Sequence, residues 1–308
     1  MQRPNRQDMR ERKVLANVLP LKTPFTVAID IISVCNFKCI FCFHSIDKVK
    51  QRELNFSPGI MDYKLYKEII DQITEFPNKL KKLAVYMRGE PLLHKKLPNM
   101  ISYAKKRNVS ELIQVTTNGY LLSPDMNLKL IESGLDELVV SVEALSPEKY
   151  EEITRVYIDF NEFIDNIRNF YKNKGMCKLY VKILDVGLNH DEEYKFHEIF
   201  DDICDKAFIE NTQPQYRQVS YSELKHDFKT DVRGNDLLRV DVCTQPFLSL
   251  YVLHNGDVCV CCVDYSGKIV FGNIKDRSLF DIWNGQTLKD FRMTQLKRKR
   301  RPLLLLMT

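Results

Sequence analysis

Three features that often decide the class of a protein are missing from this 308-residue sequence. No window approaches 18 consecutive apolar residues, so we predict no membrane-spanning helix. The amino terminus is polar and lacks the apolar core of a secretory signal peptide, so we expect a cytoplasmic protein. The net charge is only +5, which is too weak by itself to predict nucleic-acid binding. We therefore expect no membrane partner and do not favour a nucleic-acid partner.

What the sequence does have is nine cysteines, most of them clustered. The clustered ones are Cys35, Cys39 and Cys42, spaced C-x3-C-x2-C, and Cys259, Cys261 and Cys262, which follow Cys243. In a chain without a secretory signal, such clusters are typical of metal binding rather than disulfides. We call Cys35, Cys39 and Cys42 the cysteine triad. Three thiolates are one fewer than a cubic iron–sulfur cluster usually takes, so a cluster held by the triad would keep one iron open.

Three other interpretations of the cysteine triad are open at this point. The thiols could be neighbours by coincidence. They could form part of a zinc site, although zinc usually takes four ligands in pairs. They could also include a redox C-x2-C pair on a thioredoxin-like unit.

Strand and helix patterns alternate along most of the chain, which predicts an α/β fold. Apolar, β-branched runs predict strands at 25–33, 82–87, 111–117, 136–143, 178–186 and 206–210. Amphipathic patterns predict helices at 62–75, 97–108, 124–133, 147–172 and 191–204. Such units predict a parallel sheet with right-handed crossovers. Six units are fewer than the eight of a closed barrel, so we expect a partial (β/α)6 barrel.

The domain organisation follows from composition. We predict an N-terminal extension at 1–24, the partial barrel at 25–210, a linker at 211–236 and a small C-terminal extension at 237–308. In the extension, Leu248, Leu250 and Val252 alternate up to Asn255-Gly256, which predicts a β-hairpin. A short helix is expected near 278–292.

Four motifs, each at the end of a predicted strand, resemble the radical S-adenosylmethionine (radical SAM) enzymes. The first is the cysteine triad with its aromatic Phe41. The others are Arg88-Gly89-Glu90-Pro91, Thr116-Thr117-Asn118-Gly119 and Ser141-Val142-Glu143. The family usually has a second glycine where this chain has Arg88. The resemblance covers roughly residues 25–210, and the order of the motifs is its most specific part.

The resemblance implies a 4Fe–4S cluster on the cysteine triad and S-adenosylmethionine (SAM) as cofactor. Reductive cleavage of SAM would give a 5′-deoxyadenosyl radical that abstracts hydrogen from a substrate, with the protein holding and orienting the cofactor. Glu90 would accept from the SAM ammonium, Ser141 would bind the ribose, and Arg155 would meet the carboxylate. The implied cofactor-binding set is Phe41, Gly89, Glu90, Thr116, Asn118, Ser141, Glu143 and Arg155. The partners implied are a peptide, protein or small-molecule substrate such as a sugar, and an external electron donor such as flavodoxin or ferredoxin.

The C-terminal extension resembles the SPASM domain, which binds auxiliary iron–sulfur clusters. Cys243, Gly256 and Cys261 match its opening pattern, but no closing C-x2-C pair follows the predicted helix. We therefore expect a truncated or frame-shifted terminus, with Cys243, Cys259 and Cys261 as candidate ligands of an incomplete auxiliary cluster. Neighbours in a strand point to opposite faces, so Cys262 is expected to be a small buried residue instead.

The remaining cysteines and two histidines are assigned structural roles. Cys177 and Cys204 are expected in the core, and His44 and His94 near the predicted site are interpreted as structural. Two other functions stay open. One is a radical SAM enzyme acting on RNA or a nucleotide, and the other is a degenerate, non-catalytic metal-binding remnant.

Overall fold

The computed structural model describes residues 17–186, 188–216, 218–221, 230–232 and 242–297. Most of the predicted N-terminal extension, much of the predicted linker and the basic C-terminal tail lie outside these residues. The domain boundaries given above therefore stay predictions.

Nine β-strands are found among the described residues. They are β1 (Thr26–Ile29), β2 (Lys82–Ala84), β3 (Ile113–Thr117), β4 (Glu137–Val142), β5 (Lys178–Leu184), β6 (Lys206–Glu210), β7 (Ser249–Val252), β8 (Asp257–Cys259) and β9 (Val270–Asn273). The first six confirm the six predicted strands, each within the predicted bounds.

Ten α-helices are found in the same part of the chain. They are α1 (Lys48–Glu53), α2 (Tyr63–Ile73), α3 (Leu97–Arg107), α4 (Pro124–Glu132), α5 (Pro147–Thr154), α6 (Phe160–Asn173), α7 (His190–Phe200), α8 (Gln245–Leu248), α9 (Leu279–Asn284) and α10 (Gln286–Leu296). The predicted start of α4 is confirmed, because the Ser123 hydroxyl accepts from the Met126 amide and Pro124 stands at the first turn.

Two helix predictions were wrong. The single helix expected at 147–172 is α5 and α6, because Arg155 adopts a left-handed conformation at the end of α5 and Asp159 caps α6. The helix expected at 278–292 is α9 and α10, separated by Gly285. Helix α1 was not predicted.

The chain forms two compact units, each made of several segments. Among the described residues, the first unit contains 35–50, 115–186, 188–216, 218–221 and 230–232. In it, β4, β5 and β6 are parallel neighbours. One face of these strands is apolar and fully buried, as at Val140, Val142 and Val181, and the other carries Ser141, Lys182 and Glu210.

Among the described residues, the second unit contains 17–34, 51–114 and 242–297. Strands β2, β1 and β7 are parallel neighbours in that order, and β8 and β9 continue antiparallel from β7. The parallel pairing of β7 with β1 was not predicted. The predicted hairpin is confirmed as β7 and β8, although it begins at Ser249 because Leu248 ends α8.

Both β6 and β9 are edge strands, so the sheet is not closed. A mixed α/β fold with an open, largely parallel sheet confirms the predicted class. Among the described residues, no helix is long and apolar enough to cross a lipid bilayer.

Candidate functional site

The cysteine triad lies on the loop that follows β1, in the first unit. Cys39 is buried, while Cys35 and Cys42 are half-buried. The loop is fixed to the end of α5, because the Lys38 amide donates to the Thr154 carbonyl at 2.9 Å and the Ile40 amide to that of Ile153 at 3.0 Å. The backbone of this loop is therefore held by regular secondary structure.

An aromatic residue inside the loop anchors it further. Phe37 is 1% exposed and packs edge-on against Tyr120 and Tyr150, with ring centroids 5.6 and 6.2 Å apart. Edge-to-face contacts of this kind add to the stabilisation from burial. Because Phe37 lies between Cys35 and Cys39, its burial restrains the part of the loop that carries these two cysteines.

Hydrogen-bond donors surround the sulfur atoms of the triad. The Phe37 amide lies 3.4 Å from Cys35 Sγ, and Asn118 Nδ2 lies 3.9 Å from the same atom. Burial raises the pKa of Cys42 to about 11, while the backbone amides of His44 and Phe43 oppose that shift. Donors directed at sulfur stabilise the thiolate, which is the form that binds metal.

In the part of the chain that the structure describes, no three Cys, His, Asp or Glu side chains are close enough to hold one ion. An iron–sulfur cluster contains several iron atoms, so its thiolates stand farther apart than the ligands of one ion. Burial raises the pKa of Cys39, and the charges of Glu143, Cys42 and Cys35 add to the increase.

Asn118, one of the predicted cofactor-binding residues, is brought to the cysteine loop. Its Nδ2 donates to Asn36 Oδ1 at 2.9 Å, and its Oδ1 accepts from the Tyr120 amide at 3.1 Å. The Nδ2 of Asn36 is buried and has no hydrogen-bond partner among the described residues. A buried amide donor without a partner beside Cys35 suits a site that takes a hydrogen-bond acceptor.

Glu143 also lies near the triad. Burial raises its pKa to about 7, with Lys182 opposing the shift, and its amide donates to the Tyr150 hydroxyl at 3.1 Å. Ser141 lies two residues earlier and is half-buried on the same side of β4.

A group that sequence reasoning missed lies beside Glu143. Lys182 Nζ donates to Glu210 Oε2 at 2.7 Å, and both side chains are largely buried, at 20% and 15% exposure. Lys182 is the register partner of Ser141. We call Ser141, Glu143, Lys182 and Glu210 the polar layer. The only sequence signal for Lys182 was a lysine at an alternating position within an apolar strand.

An apolar cluster adjoins the polar layer. Val139, Tyr180 and Phe208 pack together and are each at most 5% exposed. They precede the polar residues by two positions on each strand, so both sets lie on the same face of the sheet. This face of the first unit therefore combines an apolar base with two carboxylates and one ammonium.

These contacts do not show what Arg155, Phe41 and Thr116 would bind, although Phe41 directly precedes Cys42 in the cysteine loop. Arg155 is exposed in the turn after α5. Phe41 is half-buried, and its carbonyl accepts from the Tyr221 hydroxyl at 3.2 Å. Thr116 is half-buried in β3.

Gly89 and Glu90 belong to the second unit, in the turn that follows β2. Glu90 is 2% exposed, and its Oε1 accepts from the Leu92 amide at 2.9 Å. A Cβ atom on Gly89 would lie 2.3 Å from the Val34 carbonyl oxygen, so only glycine fits there. Arg88 is buried, and its guanidinium pairs with Asp30 at 2.5 Å.

The second group of cysteines also lies in the second unit. Cys259 and Cys261 are buried, whereas Cys243 and Cys262 are exposed. The expectation that Cys262 is buried was therefore wrong, because β8 ends at Cys259 and the alternation of the strand does not extend to it. The prediction that Cys177 and Cys204 lie in the core is confirmed, at 5% and 3% exposure.

Its open α/β sheet and the cysteine loop after the first strand define the structural class of the chain. A family model described as "Radical SAM superfamily" matches residues 29–203, more than half of the sequence. The chain belongs to the radical SAM superfamily, whose characterised members are enzymes. A second model, described as "Iron-sulfur cluster-binding domain" and named SPASM, matches residues 243–304. The two domains imply iron–sulfur clusters and SAM as cofactors.

Curated relatives match part of the chain. A tungsten-containing aldehyde ferredoxin oxidoreductase cofactor-modifying protein of Pyrococcus furiosus is 32% identical over 117 residues, which cover 38% of this chain and 30% of that protein. A probable GTP 3′,8-cyclase of Metallosphaera sedula is 29% identical over 171 residues, covering 55% and 50%. The chain thus spans half or less of the length of these relatives.

Solved structures share the fold over most of the chain. Streptococcus suis SuiB bound to the precursor peptide SuiA superposes with a TM-score of 0.69 at 15% identity, covering 90% of this chain and 68% of SuiB. BtrN in complex with AdoMet and 2-DOIA gives 0.56 at 20% identity, covering 90% and 88%. The enzyme anSMEcpe with AdoMet and a peptide gives 0.64 at 16%, covering 88% and 83%.

Proposed function

We propose that this chain is a radical SAM enzyme that abstracts hydrogen from a substrate bound on the face of β4, β5 and β6. The observation that carries the proposal is the fixed cysteine loop, with amide donors at Cys35 and the buried, unpartnered Nδ2 of Asn36 beside it. When bound, the 4Fe–4S cluster supplies the electron that cleaves SAM to methionine and the 5′-deoxyadenosyl radical.

The residues of this chain would then have separate tasks. The cysteine triad holds the cluster, and Phe37 keeps the cysteine loop in place. Glu90 binds the SAM ammonium by a charge-assisted hydrogen bond, and Ser141 binds the ribose. The apolar Val139, Tyr180 and Phe208 exclude water from beneath the polar layer.

The polar layer suggests a substrate class. Glu143 and Glu210 carry two carboxylates against the single ammonium of Lys182, and Glu210 already pairs with it. A substrate with a cationic group, such as an amine on a peptide or an aminated sugar, would compensate the second carboxylate. The peptide bound to SuiB is consistent with a peptide substrate at this fold.

A nucleotide substrate is the second candidate. It is favoured by several curated relatives named GTP 3′,8-cyclase, of which the Metallosphaera sedula protein covers 55% of this chain. Above its pKa of about 7, the ionised Glu143 would repel a triphosphate placed there, which favours the first candidate.

The reaction also needs a one-electron donor. We propose a small external electron carrier, such as a flavodoxin or ferredoxin, that acts on the cluster in the cytoplasm.

The test is anaerobic reconstitution with iron and sulfide, followed by SAM and dithionite. We expect about four irons per chain if only the triad is filled and about eight if the auxiliary site fills too. 5′-Deoxyadenosine should form, and Cys39→Ala should abolish both its formation and the iron of the triad. Cys177→Ala, which removes a core cysteine outside the loop, is the matched control and should keep both.

The outcomes separate the candidates. Zinc in place of iron, or a well-formed cluster that yields no deoxyadenosine, would leave the non-catalytic metal-binding remnant as the function. Deoxyadenosine formation stimulated by GTP and not by amine-bearing peptides would select the nucleotide substrate.

A further inference from the structure

The turn that carries Glu90 is fastened to the chain segment that leads into the cysteine loop. The Arg88 amide donates to Asp30 Oδ1 at 3.1 Å, and the Glu90 amide donates to the Val34 carbonyl at 2.9 Å. Between them, Gly89 packs against the backbone of Ile32 and Val34. Residues 88–90 thus follow the segment 30–34 along its length, and that segment ends one residue before Cys35.

The Arg88 side chain fastens the same turn to Asp30 a second time. Its Nε and Nη2 donate to Asp30 Oδ2 at 2.8 and 2.5 Å, a fork in which one carboxylate oxygen accepts twice. Arg88 is 5% exposed and Asp30 is fully buried. A planar guanidinium can make such contacts together, whereas a lysine ammonium is a single point charge.

The other side of the guanidinium reaches the C-terminal segment, residues 242–297, which we call the auxiliary segment. Arg88 Nη1 donates to the Tyr265 carbonyl at 2.8 Å, and the Tyr265 hydroxyl donates back to the Arg88 carbonyl at 2.8 Å. His254 Nδ1 lies 3.2 Å from Arg88 Nη2 and 3.3 Å from Ser33 Oγ. Arg88 therefore contacts both Asp30, just after β1, and the auxiliary segment, in addition to the direct pairing of that segment with β1.

We propose that Arg88 is a positioning residue. Through its contacts with Asp30 and the auxiliary segment, it holds the turn of residues 88–90 so that the Glu90 carboxylate can bind SAM. The inference rests on the proposed function, in which Glu90 binds the SAM ammonium. This role accounts for the arginine at position 88, where the family usually has a glycine. The Arg88 side chain supplies the contacts that fix the turn. Variants of Arg88 should weaken SAM binding without changing the maximal rate.

The test compares Arg88→Lys with Arg107→Lys in the reconstituted protein. Arg107 pairs with Asp71 on an exposed surface and is the matched control. We expect Arg88→Lys to bind SAM about tenfold more weakly in equilibrium dialysis, because it loses hydrogen bonds between charged groups. Iron content and the maximal deoxyadenosine rate at saturating SAM should equal those of Arg107→Lys.

A second readout needs no cofactor. Hydrogen exchange of the peptide spanning residues 86–93 should accelerate in Arg88→Lys, while protection in α2 and α3 remains. Unchanged SAM affinity and unchanged exchange in this peptide would overturn the proposal. So would a variant whose only defects are a lower melting temperature and less iron.

A neutral double variant covers the case in which Arg88→Lys does not fold. Asp30→Asn with Arg88→Met removes both buried charges together, which proteins tolerate better than an unpaired charge. It should show the same loss of SAM affinity, and wild-type affinity would overturn the proposal. If the wild-type chain binds no SAM at all, the proposed function fails first, so the two failures can be told apart.

Discussion

At the scale of single residues, burial decides which thiols of this chain can react. Burial raises the pKa of Cys177 and of Cys204 to about 12 in each case, because a thiolate there would be out of contact with water. Cys243 is exposed. The reactive form of a cysteine is the thiolate. Burial therefore lowers the reactivity of Cys177 and Cys204 in two ways, because it blocks the reagent and raises the pKa.

We predict that iodoacetamide at pH 8 labels Cys243 in the folded apoprotein and spares Cys177 and Cys204. Since the two buried thiols of the folded protein stay protonated until the pH approaches about 12, raising the pH from 7 to 9 should not make them reactive. Peptide mass spectrometry measures the labelling. In denaturant all three should react, and rapid labelling of Cys177 in the folded protein would contradict the assigned core position.

The single residues also show where sequence reasoning succeeds and fails. The core positions of Cys177 and Cys204 were predicted because each is an isolated cysteine, and free cysteines are among the most often buried residues. The exposure of Cys262 was not predicted, because it depends on where β8 ends. The partners of Arg88 come from positions 30, 254 and 265, and no local pattern relates residues so distant along the chain.

At the scale of elements, the break between α5 and α6 is the main departure from the predicted pattern. Apolar residues continue through Val156 and Ile158 at helical spacing, without glycine or proline, so periodicity alone predicts one helix. The structure ends α5 at Arg155 with φ at 63°, and the Asp159 side chain accepts from the amides of Asn161 and Glu162. A cap at the next helix start thus outweighs the periodic pattern.

We predict that Arg155→Gly stabilises the protein by about 0.5–1 kcal/mol, because glycine adopts the left-handed conformation without steric cost. Arg155→Ala keeps a Cβ atom in the same conformation and serves as the control, with no such gain. Urea unfolding measures both. Equal free energies of unfolding for Arg155→Gly and Arg155→Ala would show that the left-handed conformation at position 155 is not strained.

The same pair tests the cofactor role that the family resemblance gives to Arg155. If its guanidinium binds the SAM carboxylate, both variants should lose SAM affinity equally, whatever their stability. If Arg155 only ends α5, both variants should keep the wild-type affinity for SAM. The ends of β3 and β4, by contrast, were predictable from short motifs, since Thr116-Thr117-Asn118-Gly119 and Ser141-Val142-Glu143 each cover the end of their strand.

At the scale of the whole molecule, the auxiliary segment is built into the sheet. Strand β7 pairs with β1 over four residues, and the Asp30 amide donates to the Val252 carbonyl at 2.8 Å. Leu250 and Val252 are at most 1% exposed. Trp283, the only tryptophan, donates to the Leu21 carbonyl at 2.9 Å, so the segment also holds the residues before β1.

We predict that a chain ending at residue 236 is insoluble or aggregates, because β1 would lose β7, one of its two hydrogen-bonded neighbours, and become an exposed apolar edge. A chain ending at residue 297 retains every strand of the described structure and is the control. Size-exclusion chromatography after expression compares the two. A soluble, monomeric 1–236 fragment that still binds iron would show that the auxiliary segment is dispensable for folding.

The pairing of β7 with β1 has a consequence for how the protein is made. The ribosome releases β1 and the cysteine loop first, whereas β7 emerges about 220 residues later. At the usual pace of synthesis of about 5–20 residues per second, β1 waits at least about ten seconds for its second neighbour. The first strand of the chain therefore spends this interval with β7 not yet made, long after the cysteine triad has emerged. A chaperone that shields β1 during the interval would raise the yield of the folded protein.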